Sequence, residues 1–248
     1  MMNITPRSSV IPSPHKKLGM KKTQYLYFIL IATTFLFSCN KDKWLEEVPL
    51  DFYSPANSYN KPADFNAGIA RIYQLTGTML NVGSNKSLPL EYPSDVSLDN
   101  HGITHDLNSY KNNLIPENSY VLSFWSQSYR IIFDCNALLD RIDNPEIVFP
   151  SDKERAGYKA EASFLRGYAY RLLGILYGGV PIVLNEISEP KRDFVRASVD
   201  EVWAQVISDY TFAANNLPDQ SVLKEDGRLT KAAAQHALAE VYIITKQW

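Results

Sequence analysis

One stretch of the chain, residues 158–181 (YKAEASFLRGYAYRLLGILYGGVP), constrains the fold more than any other. Apolar residues recur along it in steps of three and four, which is the period of an α-helix. They are Tyr158, Ala162, Leu165, Ala169, Leu172 and Leu176. The opposite side carries small or apolar residues as well, namely Ala160, Phe164, Gly167 and Gly174. The pattern therefore predicts a helix packed between other helices, ended by Gly178-Gly179 with Pro181 beyond.

The same stretch resembles the signature helix of the SusD/RagB family, surface nutrient-binding lipoproteins of Bacteroidota. The resemblance rests on A-E-A-x-F-L-R-x-Y-A-Y at Ala160–Tyr170 and on L-Y-G-G-V-P at Leu176–Pro181. A W-x3-Y-x2-I-x3-N pattern that begins at Trp125 is also similar to the family. The resemblance implies an all-α, tetratricopeptide-like helical repeat scaffold with long loops. It further implies that the chain is the N-terminal half of a longer protein.

The residues around Cys39 have the features of a bacterial lipoprotein signal peptide. Two lysines follow Met20, and the uncharged apolar run 25–37 is too short for a comfortable membrane span. The sequence Leu-Phe-Ser-Cys that ends at Cys39 resembles a lipobox, although Phe37 stands where a small or β-branched residue is usual. We expect Cys39 to carry the lipid anchor. The alternative is an ordinary signal peptide, or a short membrane anchor, with a chance cysteine.

These features divide the chain into three parts. Residues 1–39 form the signal peptide, residues 40–60 a tether and extended segment, and residues 61–248 a helical domain truncated at its C-terminus. Met1 and Met20 are both candidate start sites. The lipid would hold the mature protein at the outer membrane of a Bacteroidota cell. Exposure on the cell surface is expected from the resemblance, although the charges after the cysteine are mixed.

Two helices are predicted before the signature stretch. The first begins at Pro62 and runs to about Thr76, and its buried stripe is Phe65, Ile69, Ile72 and Tyr73. The second covers about residues 120–143, and its stripe is Leu122, Trp125, Tyr129, Ile132, Asn136 and Leu139. We expect Asn136 to bond a neighbouring backbone, because buried amides are nearly always paired. Cys135 is expected to be a small core residue.

Helix caps delimit the remaining helices. Ser151 and Glu154 form a capping box before the signature helix, and Ser198 and Glu201 form a second one. The helix after the second box is expected to bury Val199, Val202, Val206, Tyr210, Ala213 and Leu217. Thr230 caps a last helix, with Ala234, Ala237, Leu238, Val241 and Tyr242 inward. Two consecutive helix pairs and an unpaired fifth helix favour the tetratricopeptide-like arrangement.

Residues 77–118 are rich in Gly, Pro, Asn, Ser and Asp and show no sustained period, which predicts a long loop. Candidate ligand-binding residues in it are Tyr92, Asp99, Asn100 and His101, because a flat ring with carboxylates and amides suits a sugar. For any single residue the alternative is a solvated loop, or a loop packed on the missing C-terminal half or on a partner transporter. His101 and His105 have metal-like spacing, and Asp95 and Asp106 could join a calcium site, but loop composition and irregular spacing argue against both.

Composition narrows the classes of function. The net charge of −2 gives no basic stripe for nucleic acid. No phosphate-binding loop or nucleophile elbow is present in the sequence, so nothing indicates an enzyme, a cofactor or a resident metal. The resemblance implies an oligosaccharide or similar nutrient as ligand and a SusC-like TonB-dependent transporter as partner. Two alternatives remain, a tetratricopeptide-like envelope scaffold that binds no sugar and, less favoured, a surface glycosidase.

Overall fold

The computed structural model describes residues 58–80, 115–223 and 227–247. Within these ranges the chain is helical, with one short 3-10 turn at Gln220–Val222 and no strand. The five α-helices are α1 (Pro62–Leu80), α2 (Ser119–Arg141), α3 (Asp152–Tyr177), α4 (Val199–Asn216) and α5 (Lys231–Ile244). The all-α prediction is confirmed. None of the helices in these ranges has the length and apolarity needed to cross a membrane.

The helices stack in chain order, with α3 at the centre. Helix α3 packs against α1, α2 and α4, α1 also packs against α2, and α5 packs on α4. This order gives two consecutive pairs, α1 with α2 and α3 with α4, followed by α5. Each helix contacts mainly its sequence neighbours, as expected for a tetratricopeptide-like array.

Both sides of α3 are buried, as the sequence predicted. Ala162, Leu165 and Ala169 on the predicted stripe are buried, and so are Ala160 and Phe164 on the opposite side. The glycines also face a neighbouring helix. A Cβ on Gly167 would lie 3.0 Å from the Asp209 Cβ of α4, and one on Gly174 would lie 3.4 Å from Trp203. Tyr158 and Leu172 of the predicted stripe are partly buried, and Leu176, in the final turn of α3, is 39% exposed.

Helix α1 is longer than predicted. It continues to Leu80, so residues 77–80, which the sequence placed in the loop, are helical. Met79 is buried, and the Ser128 hydroxyl donates to its sulfur at 3.6 Å. This contact with α2 stabilises an extra helical turn. The sequence did not predict the turn, because Thr and Gly are poor helix formers.

Helix α2 buries only two residues of the predicted stripe, Ile132 and Asn136. Leu122 is 55% exposed, and Trp125, Tyr129 and Leu139 are only partly buried. The buried residues of α2 are Phe124, Ser128, Ile131, Ile132, Cys135, Asn136 and Leu138. The core face is therefore rotated by about one residue from the predicted one, because α1 and α3 cover that side of the helix. The predicted stripe lies along the edge of this face.

The helix starts follow the predicted capping residues with one difference. Ser198 and Glu201 form the full reciprocal box at α4, and Thr230 accepts from the Ala233 N–H at α5. At α3 Ser151 caps the Glu154 N–H, but the Glu154 carboxylate accepts from the Tyr158 hydroxyl at 3.4 Å, and no reciprocal bond forms. Val199, expected in the core, is the first residue of α4 and is 38% exposed.

Candidate functional site

The segment between α3 and α4, residues 178–198, has no regular secondary structure and is called here the connecting segment. It turns sharply at its two glycines. Gly178 adopts φ +71°, a backbone conformation that residues with a side chain rarely adopt. A Cβ on Gly179 would lie 2.2 Å from the Ala197 carbonyl oxygen. The Ala197 N–H donates to the Val180 carbonyl at 3.2 Å, so the two ends of the segment meet. The Gly-Gly pair of the signature stretch thus serves this close approach.

Side chains of α2 and α3 hold the first half of the connecting segment by its main chain. The Tyr129 hydroxyl donates to the Pro181 carbonyl at 2.7 Å. The Tyr170 hydroxyl donates to the Val183 carbonyl at 2.8 Å and accepts from the Val183 N–H at 2.6 Å. Three tyrosine-mediated bonds therefore replace the backbone pairing that a strand would supply.

A buried polar chain continues this anchoring into α4. The Asp209 carboxylate accepts from the Arg166 guanidinium at 2.7 and 3.0 Å, and Arg166 in turn donates to the Asn136 side-chain oxygen at 2.9 Å. That bond fixes the Asn136 amide, which donates to the Val183 carbonyl at 2.8 Å. Burial disfavours the charged guanidinium, but the bonds to Asp209 outweigh it and raise the pKa of Arg166. The predicted role of Asn136 is confirmed.

The C-terminal end of α2 binds residues 185 and 186 of the connecting segment. Arg141 binds both oxygens of Glu186, at 2.8 and 2.9 Å, and Asp140 accepts from the Glu186 N–H at 2.6 Å. Asn185 also donates to Asp140, at 3.3 Å. Residues 181–186 are consequently fixed on the helical scaffold at nearly every position.

An aromatic groove lies between α2 and the connecting segment. It has a volume of about 390 Å³, and its lining includes Trp125, Tyr129, Phe133, Asn136, Ile187 and Phe194. The Trp125 ring is held by Tyr129 and Tyr177, with ring centroids 5.0 and 5.2 Å apart. Phe133 and Phe194 remain 43% and 42% exposed. The groove therefore presents aromatic surface to solvent from two different elements.

A second concavity of about 800 Å³ adjoins the groove and is lined by residues 181–195 alone. The two cavities share Pro181, Val183, Asn185, Ile187 and Phe194. From Ile187 to Val195 no main-chain N–H or C=O bonds to another group in the described part of the chain. This polar concavity thus offers unpaired backbone groups directly beside the aromatic groove.

The sequence-predicted site residues lie elsewhere. Tyr92, Asp99, Asn100 and His101, like Cys39, fall outside the described residues, and so do His105, Asp95 and Asp106. Among the described residues no group of three or more His, Cys, Asp or Glu side chains could hold a metal ion. Cys135 is buried as predicted, and burial raises the pKa of its thiol.

Sequence reasoning missed the two exposed aromatic residues of the groove. Phe133 lies off the predicted stripe of α2, and Phe194 lies within the charged run Lys-Arg-Asp-Phe-Val-Arg that ends at Arg196. A bulky ring at an exposed helix position or within a charged loop is the signal that could have marked both. Their proximity could not be predicted, because it depends on the path of the connecting segment.

The chain is similar to known proteins in both sequence and structure. Residues 43–243 match the SusD-like family described as starch-binding and associating with the outer membrane. Two SusD-like proteins of Formosa agariphila, P25 and P2, are 24% and 27% identical to the chain over 89% and 90% of its length. A SusD-like protein of Bacteroides ovatus is 25% identical over 89% of the chain. The chain spans 43%, 43% and 39% of the lengths of these three relatives.

Solved structures share the fold. A SusD superfamily protein from Bacteroides vulgatus superposes with a TM-score of 0.66 at 23% identity, covering 75% of this chain and 40% of that one. A laminarin-binding SusD-like protein superposes with a TM-score of 0.63 at 24% identity, covering 75% of this chain and 41% of that one. The tetratricopeptide-like helical fold expected from the resemblance is confirmed. With the family match over most of its length, the chain belongs to the SusD-like family of starch-binding proteins associated with the outer membrane.

Proposed function

We propose that this protein is a lipid-anchored, surface-exposed binding protein that captures oligosaccharides for import through a SusC-like TonB-dependent outer-membrane transporter. The observation that carries the proposal is the family match over residues 43–243. The structural likeness to a laminarin-binding SusD-like protein is consistent with a glycan ligand. We propose binding without catalysis, because the family is described by binding and by its association with the outer membrane.

We propose that the N-terminus determines the location of the protein. Lipidation at Cys39 would tether residues 61–248 through residues 40–60 to the outer membrane. A ligand captured there would lie beside the transporter rather than in bulk solution, which raises its effective concentration at the pore. The partner is tested by affinity purification of the tagged protein from outer membranes in mild detergent. Stoichiometric recovery of a TonB-dependent transporter supports the partnership, and recovery of the tagged protein alone contradicts it.

The ligand is tested with a glycan array probed by the purified full-length protein. We expect binding to one structurally related group of oligosaccharides, confirmed by isothermal titration calorimetry. A folded protein that binds none of the glycans but recovers other envelope proteins from outer membranes would favour the alternative of a helical scaffold. Circular dichroism establishes that the protein used in both experiments is helical.

The loop residues predicted from the sequence supply a more local proposal. We propose that at least one of Tyr92, Asp99, Asn100 and His101 contacts the ligand, because together they combine a flat ring with hydrogen-bonding groups. Alanine substitution of all four should weaken retention of the protein in a gel that contains its glycan. Unchanged retention of a folded variant would place the site outside these residues.

A further inference from the structure

We infer that the aromatic groove and the polar concavity together form an oligosaccharide-binding site. The inference rests on the proposed function and gives it a location on the described part of the chain. The two cavities differ in chemistry but share five lining residues, so one ligand can contact both. A ligand that matches this surface has a flat apolar face and many hydroxyl groups, which is the character of a sugar chain.

The apolar half supplies faces on which sugar rings can stack. Phe133 and Phe194 expose 43% and 42% of their surface, although they line the same groove. Exposing two large apolar rings to water beside a concave surface is unfavourable unless a ligand covers them. Trp125 forms the third ring and is oriented by an edge-on contact with Tyr177. Aromatic rings from a helix and from the connecting segment thus face one volume of about 390 Å³.

The polar half supplies hydrogen bonds for the hydroxyl groups. Along Ile187–Val195 the main-chain groups have no partner within the described ranges, so both donors and acceptors are available. Small-molecule sites commonly combine an apolar lining with a few such groups at fixed positions. The concavity of about 800 Å³ is large enough for more than one sugar ring.

Anchoring fixes the first half of the connecting segment, and with it the part of the aromatic groove that Pro181, Val183 and Asn185 line. Tyr129, Asn136 and Tyr170 bond the main chain of Pro181 and Val183. A segment held at this many points loses little conformational entropy when a ligand binds, which favours affinity. The tyrosines and Asn136 are positioning residues here, because their polar groups are used to hold the segment.

The charges of the segment favour a neutral ligand. Lys191 and Arg192 are balanced by Glu189 and Asp193 in the lining of the concavity, and the Glu186 carboxylate is paired with Arg141. Neither an anionic nor a cationic ligand would find an excess of opposite charge. The site assigned here therefore takes an uncharged oligosaccharide rather than a uronic acid polymer or a sulfated glycan.

The test compares two double-alanine variants of the full-length protein, one within the aromatic groove and one outside both cavities. In the first, Phe133→Ala is combined with Phe194→Ala. In the control, Val148→Ala is combined with Ile243→Ala, two residues that are 83% and 67% exposed and do not line either cavity. Affinities for the best neutral oligosaccharide of the array are measured by calorimetry. We expect the first variant to bind at least about tenfold more weakly, and the control to bind like the parent.

Hydrogen exchange measured by mass spectrometry supplies an independent readout. Saturating oligosaccharide should slow exchange at the amides of residues 187–195, apart from Pro190, which has no N–H. These amides have no hydrogen-bond acceptor in the described part of the chain. If the parent binds glycan but the first variant keeps its affinity and these amides stay unprotected, the site is elsewhere and only this inference falls. If the first variant melts well below the parent but binds glycan normally, the groove is covered by protein and not by a ligand. That result also overturns the inference. A parent that binds no glycan refutes the proposed function itself.

Discussion

Arg166 of α3 and Asp209 of α4 form a buried two-bond ion pair, with N···O distances of 2.7 and 3.0 Å. The side chains expose only 12% and 5% of their surface. Arg166 also donates to Asn136, so the pair orients the amide that holds the connecting segment. A single buried guanidinium thereby links three helices to the aromatic groove.

Asp209→Ala should therefore destabilise the protein strongly. The substitution leaves the Arg166 charge buried with only neutral partners, which we expect to cost about 3–5 kcal/mol. Urea denaturation followed by circular dichroism measures this loss. Asp143→Ala is the control, because its ion pair with Lys159 leaves the carboxylate 60% exposed and should contribute less than about 1 kcal/mol. Equal urea midpoints for the two variants would show that the buried Arg166–Asp209 pair contributes no more to stability than an exposed one.

Gly157 of α3 and Gly179 of the connecting segment should respond to alanine in opposite ways. Gly157→Ala meets no atom within 4 Å and should stabilise the helix by about 0.5–1 kcal/mol. Gly179→Ala, by contrast, would bring a Cβ to 2.2 Å from the Ala197 carbonyl oxygen and should cost about 1–3 kcal/mol or more. Thermal melts of both variants check the contrast. A Gly179→Ala variant that melts like the parent would show that the two ends of the connecting segment do not meet.

The helices could be predicted from the sequence because their signals are local. The stripe of α3, the Ser198–Glu201 box and the Thr230 cap all lie within a few residues of the structure that they specify. The burial of α2 was predicted less well. Apolar residues occur on more than one of its sides, so the period alone does not determine which side faces the core.

The candidate site could not be predicted in the same way. The groove depends on Phe133 and Phe194, and the segment beside it is held by contacts such as the one from Asn136 to Val183, 47 residues apart. Contacts of this kind leave no periodic trace in a single sequence. The residues that were predicted for ligand binding lie in a stretch outside the described residues, and their role remains a prediction.

Tyr170→Phe tests the anchoring of the connecting segment. The substitution leaves the Val183 N–H without its acceptor, so we expect a loss of about 1–3 kcal/mol at neutral pH. Tyr210→Phe is the matched control, because Tyr210 is equally buried but its hydroxyl has no hydrogen-bond partner among the described residues. The control should therefore stay close to the parent in urea denaturation. A larger loss for Tyr210→Phe would contradict this account.

The effect of Tyr170→Phe on stability should depend on pH. Burial raises the pKa of Tyr170 from about 10 to about 12, so the folded state keeps this proton over a range in which the unfolded chain loses it. The resulting stabilisation is fully present below pH 10 and is lost as the pH rises towards 12. The stability difference between the parent and Tyr170→Phe should consequently narrow over this interval. Urea midpoints at several alkaline pH values measure it, and a constant difference would contradict the shift.

Cys39→Ala should abolish lipidation. We expect the variant to accumulate as an unprocessed precursor or as released soluble protein, and to lose metabolic labelling with palmitate, because the thiol is the acceptor of the lipid. Cys135→Ala serves as the control, since that thiol is buried in the helical core and should leave labelling unchanged. Labelling that persists in Cys39→Ala would refute the anchor.

The binding of a glycan is tested most directly by affinity electrophoresis of the purified full-length protein. Native gels are cast with a panel of neutral polysaccharides that includes starch and laminarin, and the mobility of the protein is compared with that in a gel without polysaccharide. We expect retardation by at least one polysaccharide, reversed by the corresponding soluble oligosaccharide. Unchanged mobility in every gel, for a protein whose circular dichroism spectrum is helical, would contradict it.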